Sequence, residues 1–377
     1  MFSNTTRTTQ IPDKGGRLEF VDVLRGVAIL LVIYSHICVL GIHCHSSLNY
    51  FFIRFRMPLF FFISGFFAYS ADLAGAKLQR RVKSRLTKQL WPTFLVWLLF
   101  LAFESLLLGS QFVDTLDKSI FNAGKSGYWF TYSLVQLFLV FALLVAGMRR
   151  LKLSENTIGT VFALCAFAMA IGYRLMFNEH GNGPLDREEW VRVLSMQQTF
   201  HHGPFFFLGA VVSIWRTKVF RFLGNAWVLG GLLLLTAVSL VGFAYNWIPE
   251  WLWQQCAYLY VPTLLGIAYR FRGKFSSETA VGRHLIYLGK NTLPIYLFHY
   301  FVIFLITTYS GLHLFRFLPA DWITGHGLIW TACRSTLNAL LEFAIVATVS
   351  LLIAHITLAA DRLLKHSPRL HKLVLGN

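Results

Sequence analysis

From Phe20 to Ala359 the chain is a succession of apolar runs, most of them about 20 residues long, the length a helix needs to cross a bilayer. Inside hydrocarbon each run must satisfy its own backbone, and continuous apolar runs do so as helices. A transmembrane β-barrel would show short alternating segments instead. Composition agrees: 14% of the 377 residues are charged and 56% are hydrophobic, against about a quarter charged in a soluble domain. Too little polar surface remains to cover a water-soluble globule.

About ten runs can be delimited, at 20–42, 51–71, 90–109, 128–148, 158–177, 200–215, 226–247, 251–269, 285–309 and 327–359. The expected fold is all-α: a polytopic transmembrane bundle over residues 20–360, with polar tails at 1–19 and 361–377. The net charge of +17 would point to nucleic acid in a soluble protein. Here Lys and Arg concentrate in alternate connections, Lys77–Lys88, Arg149–Lys152, Arg216–Arg221, Arg270–Arg283 and the tail from Arg362. The opposite connections hold few, and carry acids such as Asp114, Asp117, Glu188 and Glu189. The cytoplasmic preference of basic residues then puts both termini in the cytoplasm and requires an even number of spans. The bilayer, not nucleic acid, is the expected partner. The first run follows a polar tail and does not read as a cleaved signal peptide. No connection is long enough for a separate soluble domain, and nothing in the sequence sets an oligomeric state.

Charged groups inside the runs are costly and mark function or pairing. Arg25 and His36 lie eleven positions apart in the first run. That is about three helical turns, so both face one side, roughly 16 Å apart along the axis. Two readings stay open. Arg25 can snorkel to the headgroups while His36 hydrogen-bonds a neighbouring helix. Alternatively the two line a tunnel, in which the arginine grips an anion at the inner mouth and the histidine moves a proton at depth.

The pattern Arg-x10-His, here RGVAILLVIYSH (Arg25–His36), resembles the first-helix signature of the acyltransferase 3 family of integral membrane acyltransferases. FRMPLFFFISGFF (Phe55–Phe67), RRVKSRLTKQLWP (Arg80–Pro92), GYWFTYSLV (Gly127–Val135), FFFLGA (Phe205–Ala210) and LGKNTLPIYLFH (Leu288–His299) are similar to its later motifs, in its order. Each is weak alone; six in register are specific. The resemblance implies a bacterial inner-membrane enzyme. It would take an acyl group, most often acetyl, from cytoplasmic acyl-CoA and place it on a hydroxyl of a periplasmic or cell-surface glycan. Acyl-CoA is a co-substrate, and no permanently bound cofactor is implied. His36 then corresponds to the catalytic histidine, Arg25 to its partner arginine, and Arg85 and Lys88 to the loop basics. His36 can act as general base or as acyl acceptor, and the residues do not choose. Coenzyme A carries phosphates, which arginine and lysine bind well. Arg25, Arg81, Arg85, Lys88 and Lys290 are therefore expected at the inner mouth as donor-binding residues.

A second polar set lies toward the outer side. Arg56, Glu104, Trp129, Arg334 and Glu342 are the acceptor-side candidates. Their structural reading is interhelical ion pairing, Arg334 or Arg56 with Glu104; their functional reading is an acceptor cleft, with Glu342 orienting His36. His201 and His202 join this set. His299 reads as a buried core histidine, and Pro294 with Asn291 points to a kink nearby. The stretch HICVLGIHCHS (His36–Ser46) has zinc-type ligands but no familiar zinc spacing, so no metal is expected. The competing function is a transporter or glycan flippase that uses the intramembrane charges as a relay. Against it stand the order of the motifs and the absence of a transporter-like internal repeat.

Overall fold

The structure, a computed structural model, describes residues 18–41, 47–177, 183–245, 247–309 and 328–376, and only the backbone over 328–339. Every regular element among them is helical. In chain order they are α1 (Glu19–His36), α2 (Ser47–Ala68), α3 (Gly75–Arg85), α4 (Trp91–Leu108), α5 (Phe112–Phe121), α6 (Trp129–Arg150), α7 (Glu155–Met176), α8 (Glu189–Val193), α9 (Met196–Ile214), α10 (Arg216–Leu223), α11 (Ala226–Ala244), α12 (Glu250–Gln255), α13 (Ala257–Arg270), α14 (Ala280–Lys290), α15 (Thr292–Tyr309), α16 (Leu328–Lys365) and α17 (Pro368–Leu375).

Seven helical stretches among the described residues are long and apolar enough to cross a membrane; α14 and α15, bent by 81° at Asn291, make an eighth if counted as one broken span. The runs read at 200–215 and 251–269 fold as α9 and as α12 with α13. Helix α9 spends its first turns on Gln197, Gln198, His201 and His202, and α13 has 14 residues. Neither is both long and apolar enough to pass the same test, so the count is seven or eight where the sequence reads about ten.

Two local features depart from a plain bundle. The basic segment Lys77–Lys88 is not a loop: α3 continues into α4 through a π-helical turn at Leu86–Leu90, giving one stretch of 34 residues. A second π turn, Ile37–Gly41, follows His36 directly. Such turns are rare and often sit at functional positions. The break at Asn291 has an ordinary cause. Pro294 has no backbone N–H to continue α14, but is tolerated in the first turn of α15.

Several of the basic connections are held by local contacts. Glu19, at the start of α1, accepts hydrogen bonds from the Ser277 amide and hydroxyl at 2.9 and 2.7 Å. The Phe20 ring meets Phe220 and Tyr269 at 5.1 and 5.8 Å. Arg149 donates to Glu155 and to the Ala71 carbonyl at 2.9 and 2.8 Å. Gly376, after α17, abuts Thr87 and Lys88. The start of α1 thus packs on α10 and the turn at Ser277, Arg149 ties the α2–α3 turn to the start of α7, and the end of α17 packs on the π turn at Leu86–Leu90.

Lipid supplies no hydrophobic drive between helices, so small residues must let backbones approach. A Cβ on Gly65 of α2 would stand 1.8 Å from the Phe206 carbonyl oxygen, and one on Gly209 of α9 would stand 2.0 Å from that of Phe62. Across the α1–α14 crossing the corresponding distances are 2.2 Å from Gly26 to Leu285 and 1.9 Å from Gly289 to Asp22. These paired contacts lock α1 to α14 and α2 to α9. Gly65→Leu should therefore destabilise the detergent-solubilised protein by at least about 1–3 kcal/mol, the usual cost of overpacking. Gly147→Ala, with nothing within 4 Å, should leave the thermal unfolding midpoint unchanged or slightly raised. Equal midpoints for the two variants would refute the close crossing.

Candidate active site

Helices α1, α2, α3, α6 and α15, with the π turn at Leu86–Leu90, enclose one cavity of about 440 Å³, within the range of small-molecule sites. Arg25, Arg81, Arg85 and Lys88 line one end, and His36, Arg56 and Trp129 line it further along. The helix break contributes Thr292 and Leu293 to the wall.

The basic end is built by short-range contacts. Arg25 donates to the Thr292 hydroxyl at 2.9 Å and stands 3.9 Å from the Asp22 carboxylate one turn earlier. Arg81 donates to the Ala68 and Phe67 carbonyls at 2.6 and 3.2 Å, capping the end of α2, whose carbonyls attract a cation. Arg85 donates to Gln89 at 2.7 Å, and its guanidinium lies 5.3 Å from the Phe138 ring centre. Lys88 is exposed. Four cationic side chains thus converge where no described acid but Asp22 is in contact.

At depth, His36 Nε2 is 2.8 Å from the Tyr300 hydroxyl, which leaves Nδ1 for a substrate. Behind it lies His299, fully buried, its Nδ1 2.7 Å from the Tyr296 carbonyl and its ring centre 5.4 Å from that of His36. Tyr300 reaches His36 because residue 127 is glycine: its φ is +93°, and a Cβ there would stand 2.0 Å from the Tyr300 ring. The two residues before it, Lys125 and Ser126, also take positive φ, at +47° and +49°, an unfavourable geometry for side chains with a Cβ. Lys125 holds that turn by donating to the Asn122 and Arg192 carbonyls at 3.0 Å each, and to Ile120. Burial pulls its ammonium down to about 8. The His202 ring lies nearly parallel to those of Phe61 and Trp129, with ring centres 4.9 and 5.3 Å away, and the three form one aromatic cluster.

The residues singled out in the sequence divide clearly. Arg25, His36, Arg56, Arg81, Arg85, Lys88 and Trp129 share the cavity wall; Lys290, Glu104 and Glu342 do not. Lys290 is exposed at the end of α14, and no described ion pair includes Glu104. Arg54, not Arg56, makes the outer ion pair, with Glu250 of α12. Glu342 is not the partner of His36; Tyr300 is. The Arg334 side chain and the His43–Cys44–His45 stretch lie outside the described residues. Among the described residues no His, Cys, Asp and Glu cluster could hold a metal. The roles of Tyr300 and Gly127 escaped the sequence reading, although Gly127 opens one of the quoted motifs. The one available signal was that Tyr300 follows His299 directly at the end of a recognised motif.

The class this defines is a multi-pass helical membrane protein whose helices converge on an internal basic cavity with a histidine at depth. The chain belongs to the acyltransferase 3 family: that family's profile, described as an acyltransferase domain, matches residues 18–359. No curated protein and no solved structure matches it.

Loss of a hydrogen bond to a buried group costs about 1–3 kcal/mol, and about 1.4 kcal/mol is tenfold in rate. Tyr300→Phe keeps the ring and removes the bond to His36. It should slow acyl transfer about tenfold in protein that still folds, measured by initial rates in detergent or proteoliposomes. A wild-type rate would show that the Tyr300 hydroxyl does not orient His36 productively.

Proposed function

We propose that the protein is an acyl-CoA-dependent O-acyltransferase of the bacterial inner membrane. It moves an acyl group, acetyl in the simplest case, from cytoplasmic acyl-CoA to a hydroxyl of an extracytoplasmic or cell-surface glycan. The reading rests on one observation: His36 and the cluster of Arg25, Arg81, Arg85 and Lys88 open into the same cavity. A phosphate-bearing donor held at the basic end can extend its thioester arm toward the imidazole. Guanidinium groups suit phosphates because they donate paired, charge-assisted hydrogen bonds. The Lys and Arg content of the connection that carries Arg81, Arg85 and Lys88 assigns the basic end of the cavity to the cytoplasm, the side where acyl-CoA is found.

Two routes use the same groups. In direct transfer, His36 Nδ1 takes the proton of the sugar hydroxyl as the oxygen bonds to the thioester carbonyl carbon. The carbon–sulfur bond then breaks, and the CoA thiolate leaves with the electron pair and recovers the proton. In the two-step route, Nδ1 itself bonds the carbonyl carbon, CoA leaves, and the hydroxyl displaces the imidazole. Trp129, in the wall beyond the basic cluster, offers an aromatic face on which a sugar ring can stack.

With labelled acetyl-CoA in proteoliposomes, His36→Ala should lower transfer by at least about 100-fold, the lower bound for removing a general base, with expression and unfolding unchanged. Undiminished transfer would refute His36 as the reacting group. Arg85→Gln combined with Lys88→Gln should raise the donor KM about tenfold or more with a smaller effect on kcat, since each charge-assisted bond contributes about 1.5–3 kcal/mol. A normal donor KM would remove the phosphate role. Mass spectrometry of surface glycans from cells with and without the gene should differ by one acyl unit and so identify donor group and acceptor together.

A further inference from the structure

Among the described residues, Arg56 is the one cavity-lining Lys or Arg outside the donor cluster. It sits in α2, one residue before Met57-Pro58, and lines the cavity together with His36. Its Nε and Nη1 are buried with no hydrogen-bond partner among the described residues, and no described ion pair includes it. Its charge acts on His36, His299 and Tyr300, the three rings around the reacting nitrogen. The neighbouring Arg54, by contrast, is paired with Glu250, and Arg174 donates to the Trp251 carbonyl at 2.9 Å. A buried guanidinium without a counter-charge is costly and persists where a ligand or reaction supplies the negative charge.

We infer that Arg56 is a catalytic residue that holds the thioester carbonyl oxygen and carries its negative charge in the tetrahedral intermediate. The inference rests on the acyl-transfer reading above. As the attacking oxygen bonds to the carbonyl carbon, the carbon–oxygen double bond opens and its electron pair moves onto the carbonyl oxygen. That oxygen is anionic only until the carbon–sulfur bond breaks and the thiolate carries the pair away. A donor aimed at this oxygen in a cavity walled by Phe60, Phe130 and Trp129 acts at low dielectric, where it lowers the barrier more than it strengthens ground-state binding. The same role serves both routes, because each passes through an oxyanion. The division of labour follows from position: Arg25, Arg85 and Lys88 hold what stays charged throughout, and Arg56 meets what becomes charged.

The test compares wild type, Arg56→Gln and Arg56→Lys in proteoliposomes, with two rates measured on each: acyl transfer to glycan, and slow hydrolysis of acetyl-CoA with water as the only acceptor. Arg56→Gln should lower kcat of both rates by about 100-fold or more, as loss of an oxyanion donor does, with the donor KM within about threefold of wild type, which also reports an intact fold. Arg56→Lys should restore part of the loss in both. A raised acceptor KM with unimpaired hydrolysis would overturn the inference and make Arg56 an acceptor-binding residue. Weakened donor binding in both variants, or rates equal to wild type, would overturn it as well. Absence of both rates in the wild type would refute the acyl-transfer reading itself, a different outcome from wild-type activity that ignores Arg56.

Discussion

A cation inside a bilayer needs protein or water around it, and that requirement organises this molecule. Arg25, Arg56, Arg81 and Arg85 all belong to helical stretches long and apolar enough to span. On a lipid-facing surface each would cost several kcal/mol. The fold turns all four toward one cavity instead. Carbonyls at the end of α2 solvate Arg81, a threonine hydroxyl at a helix break meets Arg25, and glutamine and an aromatic face meet Arg85. None of these partners is an acid, Asp22 beside Arg25 apart. Arg81 and Arg85 are thus solvated by neutral groups, which leaves their charge available to an anionic ligand.

Keeping such a cavity open requires the helices to be irregular around it and rigid elsewhere. Three irregularities lie at its wall, the π turn carrying Lys88 and Gln89, the break between α14 and α15, and the positive-φ turn ending at Gly127; a further π turn follows His36 directly. Each exposes backbone groups or shifts helical register where a ligand or side chain needs room. Rigidity comes from the glycine crossings of α1 with α14 and α2 with α9. Helices α1 and α2 carry Arg25, His36 and Arg56, so the three are fixed by elements that cannot slide without a backbone clash.

Much of this was legible in the sequence, for physical reasons. Apolar run length and the alternation of basic connections specify a helical membrane bundle with paired faces, and helical periodicity puts Arg25 and His36 on one side of α1. The basic cluster was legible because arginine has few places to go in lipid. The span count was less so: among the described residues seven or eight stretches are long and apolar enough to cross, and α9, with its glutamines and histidines, and the short α13 are not among them. Glu104 and Lys290 were drawn into the candidate set by charge alone. A charge near a helix end is as well served by solvent as by a cavity, and periodicity does not distinguish the two. The roles of Tyr300 and Gly127 were invisible because they depend on a contact between α15 and a turn more than 160 positions away, created by backbone geometry.

The identity of the group behind His36 matters for what Arg56 can do. A carboxylate such as Glu342 in that place would bring its own negative charge within a few ångströms of the guanidinium, and at the low effective dielectric of a buried site the two would pair. A phenol brings none. Tyr300 can donate to the imidazole or accept from it, so it keeps the ring oriented through both protonation states without compensating Arg56. Orientation of the histidine and retention of an unneutralised arginine beside it are therefore one design feature, made by choosing a hydroxyl in place of an acid, and made sterically feasible by the missing Cβ of Gly127.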